Sequence, residues 1–332
     1  MARRVLVAGA SGYTGALAAR LVDRHPELEL SAVTSRSDVG RSLADLYPRH
    51  RVDRVLEELD PDRHGDVDAA IVAYPHGAAA PVVAALRARG VAVCDLSADF
   101  RLRDADVYER WYVAHPAREL LAEAVYGLPE LRREQIAGAQ LVANPGCYPT
   151  ATLLALAPLA RAGLIADVVV DAKSGVSGAG RAATPTTHFV EADENVTPYG
   201  VGRHRHMPEI DQELAALGAP VTTTFTPHLL PLDQGEMVSC YVTLDGDDGM
   251  AVRAVFEEAY ADEPFVELAD RPPGVRDVRD TNVARIYPVA DERTGKAFVF
   301  CAIDNLWKGA SSQAVQNLNL MLGLPETMGL DA

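Results

Sequence analysis

The stretch Val5-Leu6-Val7-Ala8-Gly9-Ala10-Ser11-Gly12-Tyr13-Thr14-Gly15 decides the fold, together with Ala16-Leu-Ala-Ala-Arg-Leu-Val-Asp-Arg24 behind it. Its apolar start reads as a short buried strand, and the residues after Gly15 are apolar at a spacing near 3.6, which reads as a helix. Strand, glycine turn and helix in that order fit a dinucleotide site, because glycines let a pyrophosphate approach the backbone at a helix N-terminus. The spacing is GxxGxxG rather than GxGxxG, so the flanking strand and helix carry the reading. Gly9, Ser11, Gly12, Tyr13, Thr14 and Gly15 are the candidate cofactor contacts; the bland alternative is a glycine turn that binds nothing.

The alternation continues outward. Leu28 to Thr34 alternates like a strand, Asp68 to Ala73 reads as a buried strand, and Ala78 to Arg89 reads as a helix closed by Gly90. Val91 to Cys94 is another strand. Strands alternating with helices predict a parallel sheet covered on both faces. The second half differs: strands are expected at Val168–Ala172, Val221–Thr226, Met237–Leu244 and Ala297–Ile303, several with apolar and polar residues alternating. Helices are expected at about 150–162, 206–217, 250–261 and 309–322, so this half reads as an α+β domain with a mixed sheet.

The whole chain sets limits. Its 332 residues are 48% hydrophobic and 23% charged, an ordinary globular composition of about two domains. No apolar run approaches the ~18 residues of a membrane span. Met1-Ala2-Arg3-Arg4-Val5 turns straight into a strand, so no signal peptide is expected and the expected compartment is the cytoplasm. The net charge of −16 repels phosphate backbones and argues against nucleic acid. Lysine occurs only at 173, 296 and 308, so any anion site must concentrate its cations locally. The four cysteines form no CxxC pair, which fits a reduced protein better than a disulfide framework or a zinc site.

Three segments carry chemistry. After the second strand, where NAD binders place an acid for the ribose, stands Thr34-Ser35-Arg36-Ser37, so Ser35 and Arg36 are expected to hold a 2′-phosphate and the cofactor to be NADP(H). Cys94, Cys240 and Cys301 lie in strand-like runs, where a cysteine is usually a small hydrophobe. Cys147 instead stands in Ala143-Asn-Pro-Gly-Cys-Tyr-Pro-Thr-Ala151, in a tight turn leading into a helix. A helix N-terminus favours the thiolate, and a thiolate suits acyl transfer through a thioester. Tyr199-Gly-Val-Gly-Arg-His-Arg-His-Met-Pro-Glu-Ile210 offers His206 or His204 as acid/base near neutral pH, and Arg203 and Arg205 for anionic substrate groups. His-x-His with His188 lacks the partners of a metal site, so no metal is expected. Glycine-rich Lys173–Arg181 and Asn305–Gln313 place two of the three lysines in turns suited to anions.

With these residues in place, the chain resembles the N-acetyl-gamma-glutamyl-phosphate reductases, within the wider aspartate-semialdehyde dehydrogenase superfamily. The resemblance covers nearly the whole chain. It rests on Gly9–Gly15, Asp95-Leu-Ser-Ala-Asp-Phe-Arg-Leu102, Asn144-Pro-Gly-Cys-Tyr-Pro-Thr150, Ser174-Gly-Val-Ser-Gly-Ala-Gly180, His204-Arg-His-Met-Pro-Glu-Ile210 and Lys308-Gly-Ala310. It implies an α/β fold: a Rossmann-like dinucleotide-binding domain of residues 1–146 plus about 305–332, and an inserted α+β catalytic and dimerisation domain of 147–304. It implies NADPH-dependent reductive dephosphorylation of N-acetyl-L-glutamyl 5-phosphate to the 5-semialdehyde in arginine biosynthesis. Cys147 would form the thioester and His206, with His204 as second choice, would manage the proton. Ser177, Gly178, Asn305, Lys308 and Gly309 match cofactor-side segments, and Arg101 and Asn144 are implied substrate contacts. The implied partners are a small acyl phosphate and further copies of the chain, as a dimer or tetramer.

Rival readings remain at this point. One is a reductase of aspartyl phosphate or of a carrier-linked aminoadipyl phosphate. Another is a dinucleotide-sensing regulator, which would need no reactive thiol. A short-chain dehydrogenase is set aside, because no lysine has a tyrosine four residues before it.

Overall fold

The computed structural model describes residues 2–246 and 252–330. In chain order the first part holds β1 (Arg3–Ala8), α1 (Tyr13–Arg24), β2 (Leu28–Thr34), α2 (Leu43–Leu46), α3 (Pro61–His64), β3 (Ala69–Val72), α4 (Ala80–Arg87) and β4 (Ala92–Asp95). Then come α5 (Ala105–Trp111), β5 (Val125–Tyr126), α6 (Pro129–Ile136) and β6 (Leu141–Ala143). The second part holds α7 (Cys147–Arg161), β7 (Ile165–Gly175), α8 (Phe189–Ala192), β8 (Thr197–Pro198), α9 (Met207–Ala216), β9 (Thr224–Leu230) and β10 (Glu236–Leu244). It continues with α10 (Val252–Ala259), β11 (Val266–Leu268), β12 (Ala284–Asp291) and β13 (Lys296–Ile303), and the chain closes on α11 (Ser312–Met321). Two compact units result, one holding the described residues up to Gly146 together with those from Ala310 on, the other Cys147–Gly309.

The first unit is built on a six-stranded sheet of order β2-β1-β3-β4-β6-β5, with every pairing parallel. β3, β4 and β6 are buried along their whole length, as strands covered on both faces must be. Leu6, Ala8, Val72, Val83, Leu86, Val93 and Leu141 share one core cluster. The chain winds outward in both directions from β1, so the strand order reverses between β1 and β3. That is where an open parallel sheet leaves its ligand crevice.

The second unit carries a seven-stranded mixed sheet of order β11-β12-β13-β10-β7-β9-β8. β10 pairs antiparallel with both β7 and β13, while β7 and β9 run parallel. Against this sheet packs α7, whose residues from Tyr148 to Ala160 are all buried. A helix apolar on every side belongs inside, which explains its run of leucine and alanine.

Several boundaries differ from the expected ones. α7 begins at Cys147 rather than near 150, because Pro149 falls in the first helical turn, where the missing N–H would have no intrahelical partner anyway. β9 runs past the expected end at 226 and includes Pro227, at the end of the two-residue β8 ladder, where a missing donor costs little. The alternating β12, with Pro288 inside it, was not anticipated. Lys173 lies within β7 rather than in a turn, ion-paired to Asp171 at 2.6 Å. Of the helix expected at 250–261, residues 250 and 251 lie outside the described ones; α10 covers Val252–Ala259. A π turn at Trp307–Ser311 precedes α11. Among the described residues no helix is long and apolar enough to cross a membrane.

Candidate active site

In the first unit, the glycine turn is held under β2: the amides of Gly9 and Ala10 both donate to the Thr34 carbonyl at 2.9 Å. Gly9 has φ +91°, and a Cβ there would stand 2.6 Å from the Ala73 carbonyl oxygen. A Cβ at Gly15 would overlap the Gly9 carbonyl, so this glycine lets α1 pack onto the turn. Gly12 differs. A Cβ there meets nothing nearer than the Gly9 oxygen at 3.7 Å, and no side chain caps α1. Space over the middle glycine and an uncapped helix start are what a pyrophosphate needs, so these residues fit a dinucleotide.

Ser11 and Ser35 hydroxyls bond each other at 2.8 Å, and Ser35 is buried and accepts from the Asp38 amide at 3.1 Å. Tyr13 leans edge-on against Tyr47, whose hydroxyl donates to the Ser11 carbonyl at 2.8 Å, and the Thr14 carbonyl accepts from Ser311 at 2.8 Å. Arg36 is exposed. The sequence reading found no carboxylate in this loop and overlooked Asp38. Its oxygens accept from Ser37 at 2.7 Å and pair with Arg41 at 3.1 Å, so its charge is locally balanced.

Arg101 and Asn144 are buried in the same unit. Arg101 donates to the backbone carbonyls of Asn144 at 2.8 Å and Leu96 at 2.7 Å. The Asn144 amide donates to the Ala310 carbonyl at 3.2 Å and accepts from Asn317 at 3.0 Å. Both therefore brace the Asn144-Pro145-Gly146 approach to Cys147.

In the second unit, Cys147 is the first residue of α7 and half-buried, whereas the other three cysteines are fully buried. Burial pushes the thiols of Cys94, Cys240 and Cys301 up, which leaves them inert. Gly309 presses on Cys147: a Cβ at 309 would stand 2.8 Å from the cysteine Cβ. The Gly309 amide donates to the Asp304 carbonyl at 2.9 Å, and the Asp304 carboxylate accepts from Gln234 at 2.9 Å and from the amides of Asp280 and Leu306 at 2.9 Å. Asn305 accepts from the Gly235 amide at 2.7 Å and donates to Ser177 at 3.0 Å. A Cβ on Gly178 would come 2.9 Å from the Ser174 hydroxyl. Lys308 is buried, its ammonium 5.6 Å from the Phe265 ring centre. Ser177, Gly178, Asn305, Lys308 and Gly309 thus form one framework in the unit that carries Cys147.

Tyr148, next to the cysteine, is the hub of an aromatic cluster. Its ring centre lies 5.7 Å from His204, 6.0 Å from His206 and 5.4 Å from Phe225, and it accepts a hydrogen bond from the Tyr199 hydroxyl at 3.1 Å. His204 Nδ1 accepts from the His206 amide at 3.2 Å, which assigns the ring proton to Nε2. Burial, with the Arg205 charge beside it, pushes His204 down to about 4. Arg203 and Arg205 are exposed.

Sequence reading missed Glu236, the first residue of β10. None of its surface is exposed, and burial pushes its carboxyl up to about 8, with the Asp304 charge adding and the Cys147 thiol opposing. The available signal was a lone acid opening a strand whose inward positions, Val238, Cys240 and Val242, are apolar.

Comparison with known proteins adds the rest. Residues 4–139 match the family described as semialdehyde dehydrogenase, NAD binding domain, and residues 147–305 that described as semialdehyde dehydrogenase, dimerisation domain. The N-acetyl-gamma-glutamyl-phosphate reductase of Moorella thermoacetica is 52% identical, covering 98% of this chain and 97% of its own. That of Dehalococcoides mccartyi strain CBDB1 is 48% identical, over 97% and 95%. Among solved structures, aspartate semialdehyde dehydrogenase II of Vibrio cholerae superposes with a TM-score of 0.75 at 18% identity, over 97% of this chain and 99% of that one. The Candida albicans aspartate semialdehyde dehydrogenase with NADP gives 0.71 at 15%, again over 97% and 99%. At such identities these two speak for the fold alone.

Proposed function

The chain belongs to the N-acetyl-gamma-glutamyl-phosphate reductases of the semialdehyde dehydrogenase family, and from that membership we propose that it reduces N-acetyl-L-glutamyl 5-phosphate to N-acetyl-L-glutamate 5-semialdehyde, in arginine biosynthesis, through a thioester on Cys147. The observation that carries the role of Cys147 is its place. Alone of four cysteines it is partly open, at the start of a long buried helix, against a glycine that leaves it room.

Cys147 Sγ attacks the acyl carbon, and the bond from that carbon to the phosphate oxygen breaks. Amides in the first turn of α7 are the donors nearest a developing oxyanion. Gly9, Ser11, Gly12, Tyr13, Thr14 and Gly15 would hold NADP(H), which would supply the hydride that reduces the thioester. His206 gives a proton to the resulting oxyanion and takes it back as the carbon–sulfur bond breaks and the aldehyde leaves. His204 suits this less, because its Nδ1 is occupied by the His206 amide and it is a weak base. Arg203 and Arg205 attract the anionic groups of the substrate.

The preference for NADP(H) over NAD(H) rests on exposed Arg36 beside Ser35, with Asp38 balanced by Arg41. Self-association, as a dimer or tetramer, is supported by exposed Phe189, Val190, Val196 and Val201 in the second unit. Reduced thiols and this cofactor suit the cytoplasm. The domain division proposed is cofactor binding in the first unit and catalysis with self-association in the second.

The test is the reverse reaction, phosphate-dependent reduction of NADP+ by N-acetylglutamate 5-semialdehyde. Activity with this substrate above the aspartyl and aminoadipyl analogues, lost in Cys147→Ala and Cys147→Ser, is the expected result. Full turnover by either variant would overturn the thioester, and an unchanged NADP/NAD preference in Arg36→Ala would overturn the cofactor assignment.

A further inference from the structure

We propose that Glu236 is the proton partner of Cys147: its carboxylate takes the thiol proton as Sγ attacks the acyl carbon and returns it to sulfur when the carbon–sulfur bond breaks. The assignment rests on Cys147 being the nucleophile, and it adds a catalytic residue that the motifs did not contain.

The argument begins with cost. A carboxyl sealed from water without hydrogen-bonding partners is expensive, and proteins rarely keep one without reason. Both oxygens of Glu236 are buried and neither meets a conventional hydrogen-bonding partner. The group that favours its carboxylate form is the Cys147 thiol, across the packing of α7 on β10, the elements that these two residues open. Glu236 sits in register between Ser174 of β7 and Ile303 of β13, neither of which can compensate a charge. Asn305 fixes the preceding Gly235 amide, so the strand start cannot simply swing the acid out to water.

The surrounding groups set the proton affinity. The titratable groups electrically coupled to Glu236 are Cys147 and Tyr148 of α7, Tyr199 after β8, Cys301 of β13 and the Asp304 carboxylate beyond it. Of these, Asp304 opposes its ionisation, as burial does. A carboxyl held at about 8 is a stronger base than an ordinary carboxylate, which suits it to take and return a thiol proton.

The proton count closes with one proton from water, which the departing phosphate takes up to leave as hydrogen phosphate. The proton that leaves sulfur resides on Glu236 while the thioester exists, and it returns when thiolate is expelled. His206 serves the carbonyl oxygen, so the two residues handle different protons.

The experiment measures iodoacetamide alkylation of Cys147 against pH in the full chain, with kcat and thermal stability, for wild type, Glu236→Gln, Glu236→Asp and Glu236→Leu. In Glu236→Gln the alkylation midpoint should fall by about one pH unit, because no carboxylate then opposes the thiolate, while kcat should fall by about 10²-fold, because no base then takes the thiol proton. Glu236→Asp should recover part of both, and Glu236→Leu should unfold at or above the wild-type temperature, since it removes a buried acid. An unchanged midpoint and kcat in Glu236→Gln would overturn the assignment while leaving the thioester intact. Should the Gln variant fail to fold, a Glu236→Leu variant with wild-type midpoint and rate would overturn it equally. Loss of the thioester mechanism would show separately, as turnover by Cys147→Ala.

Discussion

His204 and His206 are two residues apart, and as sequence they are interchangeable: both lie in one basic motif before Met207-Pro208. The folded chain makes them unequal. His204 accepts the amide of His206 through Nδ1 and is held neutral by burial down to about pH 4, so it braces the loop and seldom carries a proton. His206→Gln should therefore lower kcat by about 10²-fold or more, while His204→Asn should cost much less in kcat and more in stability; steady-state kinetics beside thermal melts would decide, and a larger kcat loss at 204 would reverse the roles. The place of Cys147, at a turn into a helix, was legible in the sequence because Pro145, Gly146 and Pro149 mark it. Glu236 was not, because an acid at a strand start reads as solvated, and only the packing of α7 on the sheet shows that it is buried.

The strand–turn–helix of β1 and α1 was likewise legible, since its three glycines have separate mechanical jobs. Those jobs give opposite outcomes on substitution. Gly15→Ala drives a methyl into the Gly9 carbonyl, and overpacking of this kind should cost about 2 kcal/mol of stability, read by chemical denaturation of the apo chain. Gly12→Ala adds a methyl to open space on a backbone that any residue adopts, φ −81°. It should leave stability nearly unchanged yet weaken NADP(H) binding, because the methyl stands where the pyrophosphate must approach. Equal losses of stability at both positions would contradict this reading. Several of the misjudged elements hold a proline: α7, β9 and β12 accommodate Pro149, Pro227 and Pro288. Whether a missing N–H matters depends on which neighbour faces it, and a linear sequence does not state its neighbours.

For the molecule as a whole, the count of −16 treats every carboxyl as ionised at pH 7. Among the described residues, two buried ones depart from that assumption most plainly. Asp95 in the first unit is pushed up to about 7 and Glu236 in the second to about 8, each chiefly by burial. In both, the folded state keeps a proton that the unfolded chain releases near pH 4, so folding binds protons and stability falls as pH rises from about 4 to about 8. The acidic excess acts in the same direction, because each further ionisation adds to self-repulsion. The thermal midpoint should therefore fall between pH 6 and pH 9, salt should restore part of it by screening, and Glu236→Gln should flatten the fall at its alkaline end while leaving the part that belongs to Asp95. Calorimetry at pH 6, 7.5 and 9 in low and high salt tests all three. A midpoint that rose with pH over this range would overturn the raised proton affinities of both buried acids.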